Sequence, residues 1–92
     1  MLKTLKVVQQ GEPTQIDSQK AENGKLAKCS LVLQEIGGKY ANSYMVTLFG
    51  NDAMSQFYPG ELVLVKLKFQ VREYNGQLFQ DINVQEIIKL KF

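Results

Sequence analysis

The sequence contains no histidine, no tryptophan and a single cysteine, Cys29, among its 92 residues. One cysteine cannot close an internal disulfide. Without histidine or a second cysteine, a structural zinc site has almost no ligands to draw on. The missing imidazole also removes the usual base of hydrolytic triads. Cys29 reads as a small buried hydrophobe, because a reactive thiol would lack its usual basic partner. No apolar run approaches the length of a membrane span. The opening residues, Met1-Leu2-Lys3-Thr4-Leu5-Lys6-Val7-Val8, alternate instead of forming the unbroken apolar core of a signal peptide, so a cytoplasmic, non-membrane protein is expected. Glu12, Asp17 and Glu22 fall in a polar stretch without metal-site spacing. Gly37-Gly38-Lys39 lacks the first glycine and the following helix of a phosphate loop. No catalytic, metal or cofactor site is expected.

What is present is an ordinary globular balance. Hydrophobic residues make up 45% and charged residues 22%, which argues against a disordered chain. The length suits one domain, residues 1–92. Eleven Lys and Arg against nine Asp and Glu leave a net charge of +2. That sum decides little, because the placement of charges matters more.

Periodicity predicts strands almost throughout. The first covers Leu2 to Gln9. Gln10 to Gly24 is rich in turn formers and reads as a long loop or ragged hairpin. The second strand, Lys25 to Ile36, places Ala27, Cys29, Leu31 and Leu33 on one face, and Gly37-Gly38-Lys39 then breaks it. The third, Ser43 to Phe49, places Tyr44, Val46 and Leu48 opposite Met45, Thr47 and Phe49. Asn51 or Asp52 would cap a short helix over Ala53 to Phe57. Tyr58-Pro59-Gly60 is a turn.

The fourth strand, Glu61 to Tyr74, has the clearest pattern. Val63, Val65, Leu67, Phe69 and Val71 form an apolar face; Lys66, Lys68, Gln70, Arg72 and Tyr74 form a basic and polar one. Asn75-Gly76 is a strong hairpin signal. The fifth strand runs from Leu78 to about Leu90, with Ile82, Val84, Ile88 and Leu90 pointing one way. Five strands with a short helix between the third and fourth predict an all-β, five-stranded OB-fold Greek-key barrel.

From Leu26 to Leu90 the chain resembles the bacterial single-stranded DNA-binding protein family. Val46-Thr47-Leu48-Phe49-Gly50, then Ala53, then Tyr58-Pro59-Gly60-Glu61-Leu62-Val63-Leu64-Val65 is similar to the family's strand ending in Leu-Phe-Gly, its short helix and its Val-rich strand. Leu67-Lys68-Phe69-Gln70-Val71-Arg72-Glu73-Tyr74 resembles its basic strand ending in Arg, one residue and an aromatic. The resemblance implies an OB fold, no catalysis, sequence-tolerant binding of single-stranded DNA, and homodimers or homotetramers working with replication proteins. By position, Phe49 matches a stacking aromatic, Tyr74 an aromatic that is usually Trp, and Arg72 a basic residue before it. Ser43 stands where the family has another Trp, with Tyr44 beside it. The residues up to Phe92 do not include the family's Gly-rich linker and acidic tail. In this the chain is also similar to the short primosomal replication protein relatives, which are dimers.

Single-strand binders combine cations along the backbone path with flat side chains under the bases. The candidates are Lys66, Lys68 and Arg72 with Tyr74 on the fourth strand, and Phe49 on the third. Lys28 and Lys39 would widen the basic track, and Tyr40 and Tyr44 are further aromatics. Leu62, Leu64 and Val32 share the outward parity and suggest a subunit interface. The competing readings are a protein-interaction OB domain and an RNA-binding barrel.

Overall fold

Alternation of apolar and polar residues sends one side of each strand inward and so requires that the apolar face of the sheet be covered. The computed structural model describes residues 2–17, 24–37 and 41–90. Its elements are β1 (Leu2–Gln10), β2 (Thr14–Asp17), β3 (Lys25–Glu35), β4 (Ser43–Phe49), α1 (Asn51–Met54), β5 (Leu62–Tyr74) and β6 (Gln77–Lys89). Five of the strands form a closed ring. β1 pairs with β3 and β5, β5 with β6, and β3 with β4, all antiparallel. A parallel pairing of Thr47 with Asn83 joins β4 to β6 and completes the circuit.

The sixth strand, β2, lies within the stretch read as a loop. It pairs with Lys25–Lys28 of β3, while β1 takes Leu31–Glu35 of the same strand. Gly11 makes the junction, its N–H donating to the Ser30 carbonyl at 2.8 Å.

The interior is lined by Leu5 and Val7 from β1, Cys29, Leu31 and Leu33 from β3, Val46 and Leu48 from β4, Val63, Val65 and Leu67 from β5, and Val84 from β6. Fully burying side chains of this kind contributes about 1.5–3 kcal/mol each. No polar or charged side chain is buried among the described residues. Cys29 is buried as expected, and its thiol sits 3.1 Å from the Gly11 carbonyl, to which it donates.

The short helix begins earlier than its predicted span of 53–57. Neither Asn51 nor Asp52 caps it. The cap is Gly50, with φ 67° and ψ −134°, and no side chain caps the helix. That backbone region is nearly closed to residues with a Cβ, so the glycine ending Leu48-Phe49-Gly50 serves the turn itself. Ala53 and Phe57 are buried against the core. The Gln10 side chain holds the segment after α1. Its amide N–H donates to the Ser55 carbonyl at 2.8 Å, and its amide oxygen accepts from the Phe57 N–H at 2.9 Å.

Two bulges shift the alternation. In β6 the pairing steps from Leu67–Val84 to Lys66–Glu86, leaving Gln85 unpaired. The apolar face therefore changes phase: Ile87 packs against the core, and Ile88, expected inside, is 57% exposed. A second bulge falls at Val8 in β1.

The apolar face of β5 also outruns the core. Val63, Val65 and Leu67 are buried, but Phe69 and Val71 are exposed, as is Leu78 on β6. Ile82, opposite Phe69, still packs against the core, and beyond the Gln70–Asp81 rung residues 71–80 of the β5–β6 hairpin project with both faces open to solvent. It ends in the expected tight turn, with Asn75 at φ 51° and Gly76 at φ 77°. Among the described residues no helix is long and apolar enough to cross a membrane.

Candidate nucleic-acid interface

The strand pairings bring the outward side chains of β3, β4, β6 and β5 onto one surface. Ser30 is opposite Thr47, Thr47 is paired with Asn83, and Asn83 is opposite Lys68, so one row crosses four strands. Beside it, Lys28 stands opposite the half-buried Phe49. Because β4 and β6 run parallel, Phe49 lies on the Gln85 side of the Thr47–Asn83 bridge and Met45 on the Asp81 side. Lys66 faces Glu86 across the ladder, and Arg72 faces Phe79 on the projecting hairpin. Tyr74, adjoining the turn, is exposed.

Electrostatically the surface is basic with two acidic interruptions. Lys28, Lys66, Lys68 and Arg72 are set against Asp81 and Glu86. The three lysines are exposed and make no ion pair with any described residue. Arg72 differs from expectation, because its Nε donates to Asp81 Oδ2 at 2.7 Å. Its guanidinium carbon also lies 5.0 Å from the centre of the Phe79 ring. The ion pair is exposed and contributes little to stability, but it fixes where the guanidinium points. Asn83 donates to the Gln70 side-chain oxygen at 3.2 Å, which orders the amides between Lys68 and Asp81.

The structure thus joins Lys28, Phe49, Lys66, Lys68, Arg72 and Tyr74 on one face. Tyr44 is corrected. It shares the inward parity of Val46 and Leu48 and packs against the core. The Lys3 ammonium lies 5.9 Å from its ring, and Lys3 is ion-paired with Glu35. The Glu35 carboxylate holds the Lys3 pKa above its ordinary value, and Lys3, with the Asn42 N–H, holds the Glu35 pKa below its own. Tyr44 is therefore part of a clamp between β1, β3 and β4. Lys39 and Tyr40 lie outside the described residues.

Phe79, Thr47, Ser30 and Asn83 belong to the face and were absent from the sequence-based set. Phe79 carried a signal: a two-residue Asn75-Gly76 turn sets residue 74 opposite 77 and hence 72 opposite 79.

A cleft of about 360 Å³ lies elsewhere, between the β1–β2 connection and α1. Its lining is neutral apart from Glu12, and the Gln10 amide in its wall is already engaged. Its lining offers neither cations nor aromatic rings. Among the described residues no group of three or more His, Cys, Asp or Glu side chains could hold a metal ion. No protein-family model and no curated protein matches this sequence.

Proposed function

We propose that the chain is an OB-fold barrel that binds single-stranded DNA without strong sequence preference, in replication, recombination or repair. Two observations support the fold assignment. Leaving out the short β2, the ring runs first, second, third, fifth, fourth strand and back to the first, a Greek-key order. The helix falls between the third and fourth of these strands.

The observation that carries the function is the four-strand outer face, with exposed lysines at 28, 66 and 68 that are ion-paired with no described residue, flanking Phe49 and continuing to Phe79 and Tyr74. Cations neutralise phosphates and release counterions, while rings accept any base because every base has a π-face. A fluorescently labelled oligo-dT titrated at low salt should bind, and affinity should fall with salt at a log–log slope of about −3, roughly 0.7 for each of four engaged phosphates. No binding at tens of micromolar, about the weak end for non-specific contacts, would sink the proposal. Matched RNA oligomers test the RNA reading in the same assay.

Assembly into dimers or tetramers is part of the proposal. On the outer wall of β1, β5 and β6, Thr4 faces Leu64 and Leu64 faces Ile88, with Leu2 exposed beside them. The exposed Leu2 and Ile88 clustered around the half-buried Leu64 suit a self-association surface. A role in protein contact draws support from one further observation, the apolar side of the projecting hairpin formed by Phe69, Val71 and Leu78.

A further inference from the structure

A carboxylate in the middle of a phosphate-binding track ought to oppose binding. Asp81 occupies that position, outward on β6 between the row of Lys68 and the pair Arg72–Phe79. Its oxygen accepts from Arg72 Nε at 2.7 Å, leaving the other four N–H donors of the guanidinium free of it. The same guanidinium lies over Phe79, 5.0 Å from the ring centre. Residues 72 and 79 are directly paired across the hairpin, so the ring and the base of the Arg side chain share one platform.

We propose that Asp81 is a positioning residue for nucleic-acid binding: it tethers the Arg72 guanidinium over Phe79 so that a nucleobase stacks on the guanidinium plane. The inference rests on the single-strand-binding reading above. A long Arg side chain on an exposed strand otherwise samples many rotamers, and ordering them on binding opposes affinity. A tether through Nε removes that freedom beforehand while leaving the terminal nitrogens for a phosphate. Planar guanidinium groups serve as stacking surfaces for unstacked bases, and the ring beneath adds cation–π attraction.

The consequence runs against simple charge counting. Removing a negative charge from a DNA-binding face should tighten binding, whereas here Asp81→Asn weakens it. The test compares wild type, Asp81→Asn and Arg72→Lys on oligo-dT and on an abasic deoxyribose-phosphate strand of equal length. On oligo-dT both variants should bind about five-fold more weakly or worse, the low end of what one stacked base contributes. Arg72→Lys keeps the charge and loses only the plane and fork. On the abasic strand, where only charge counts, Arg72→Lys should bind like wild type and Asp81→Asn as tightly or more tightly; on oligo-dT the double variant should be no weaker than either single one.

Asp81→Asn binding oligo-dT as tightly as wild type, or tighter, overturns the inference while leaving the DNA-binding reading intact. An equal loss on the abasic strand also overturns it, since Asp81 would then act through the fold or the phosphates. If wild type binds neither strand, the underlying reading fails and the inference falls with it.

Discussion

Thr47 and Asn83 meet across the parallel pairing that joins β4 to β6, and they face outward at the centre of the basic surface. Closure of the ring and continuity of the surface thus depend on the same contact. The lysines on β5 reach the aromatic on β4 only because β6 lies between those strands and is paired with both.

Reversing charge along β5 should weaken DNA binding through the phosphates alone. Lys66→Glu with Lys68→Glu should lower the salt slope on a single strand by about 1.4, at roughly 0.7 per lost contact. Both side chains are exposed, but Glu at position 66 would face Glu86 across the ladder, so a modest loss of thermal stability, on the order of 0.2–1 kcal/mol, should accompany the change. A slope equal to that of wild type in a salt titration would show that phosphates bind elsewhere.

Phe49→Ala should cost ~1–3 kcal/mol of binding per stacked base while leaving the salt slope unchanged. The ring is half-buried opposite Lys28, so some stability should be lost as well. Urea unfolding beside oligo-dT anisotropy separates the two effects.

Gly50→Ala should destabilise the protein by about 1–3 kcal/mol. A Cβ there would meet only Leu26 Cδ1, at 3.9 Å, so the cost is one of backbone conformation and not of packing. Chemical denaturation measures it, and a neutral result would mean that the chain re-forms the β4–α1 turn at a negative φ.

Stability should depend on pH through Lys3 and Glu35. The Glu35 pKa is lowered from an ordinary 4.5, so its contribution is present above that value and is lost as pH falls through the lowered one. The Lys3 pKa is raised from 10.5, so its contribution is full below that value and disappears as pH rises through the raised one. Between these limits the pair should be indifferent to pH. Glu35→Gln should flatten the acid arm of a plot of melting temperature against pH; an unchanged acid arm would place the titration in other carboxylates.

Much of this was legible in the chain before any coordinates. Alternation located Ser43–Phe49 to the residue, and Asn75-Gly76 fixed the hairpin pairing and with it the partners of Lys68 and Arg72. Other features depended on tertiary pairing. β2 is a short polar segment that becomes a strand only because Gly11 turns it onto the free edge of β3. The start of the helix follows from the backbone angles of Gly50, which a search for side-chain caps passes over. Tyr44 shared its parity with two core residues, and that parity was the better guide than its position beside Ser43. Ile88 was misplaced because one unpaired residue in β6 inverts a period of two.

That unpaired residue, Gln85, makes β6 two strands spliced half a period apart. Deleting it would leave Val84 opposite Leu67 and Glu86 opposite Lys66 as consecutive rungs, with every side chain still on its present face. What would go is the local bend, and with it the angle at which the projecting hairpin leaves the ring. A single deletion could therefore re-aim the hairpin without touching a core residue, which makes the reach of the hairpin separately adjustable from the stability of the ring.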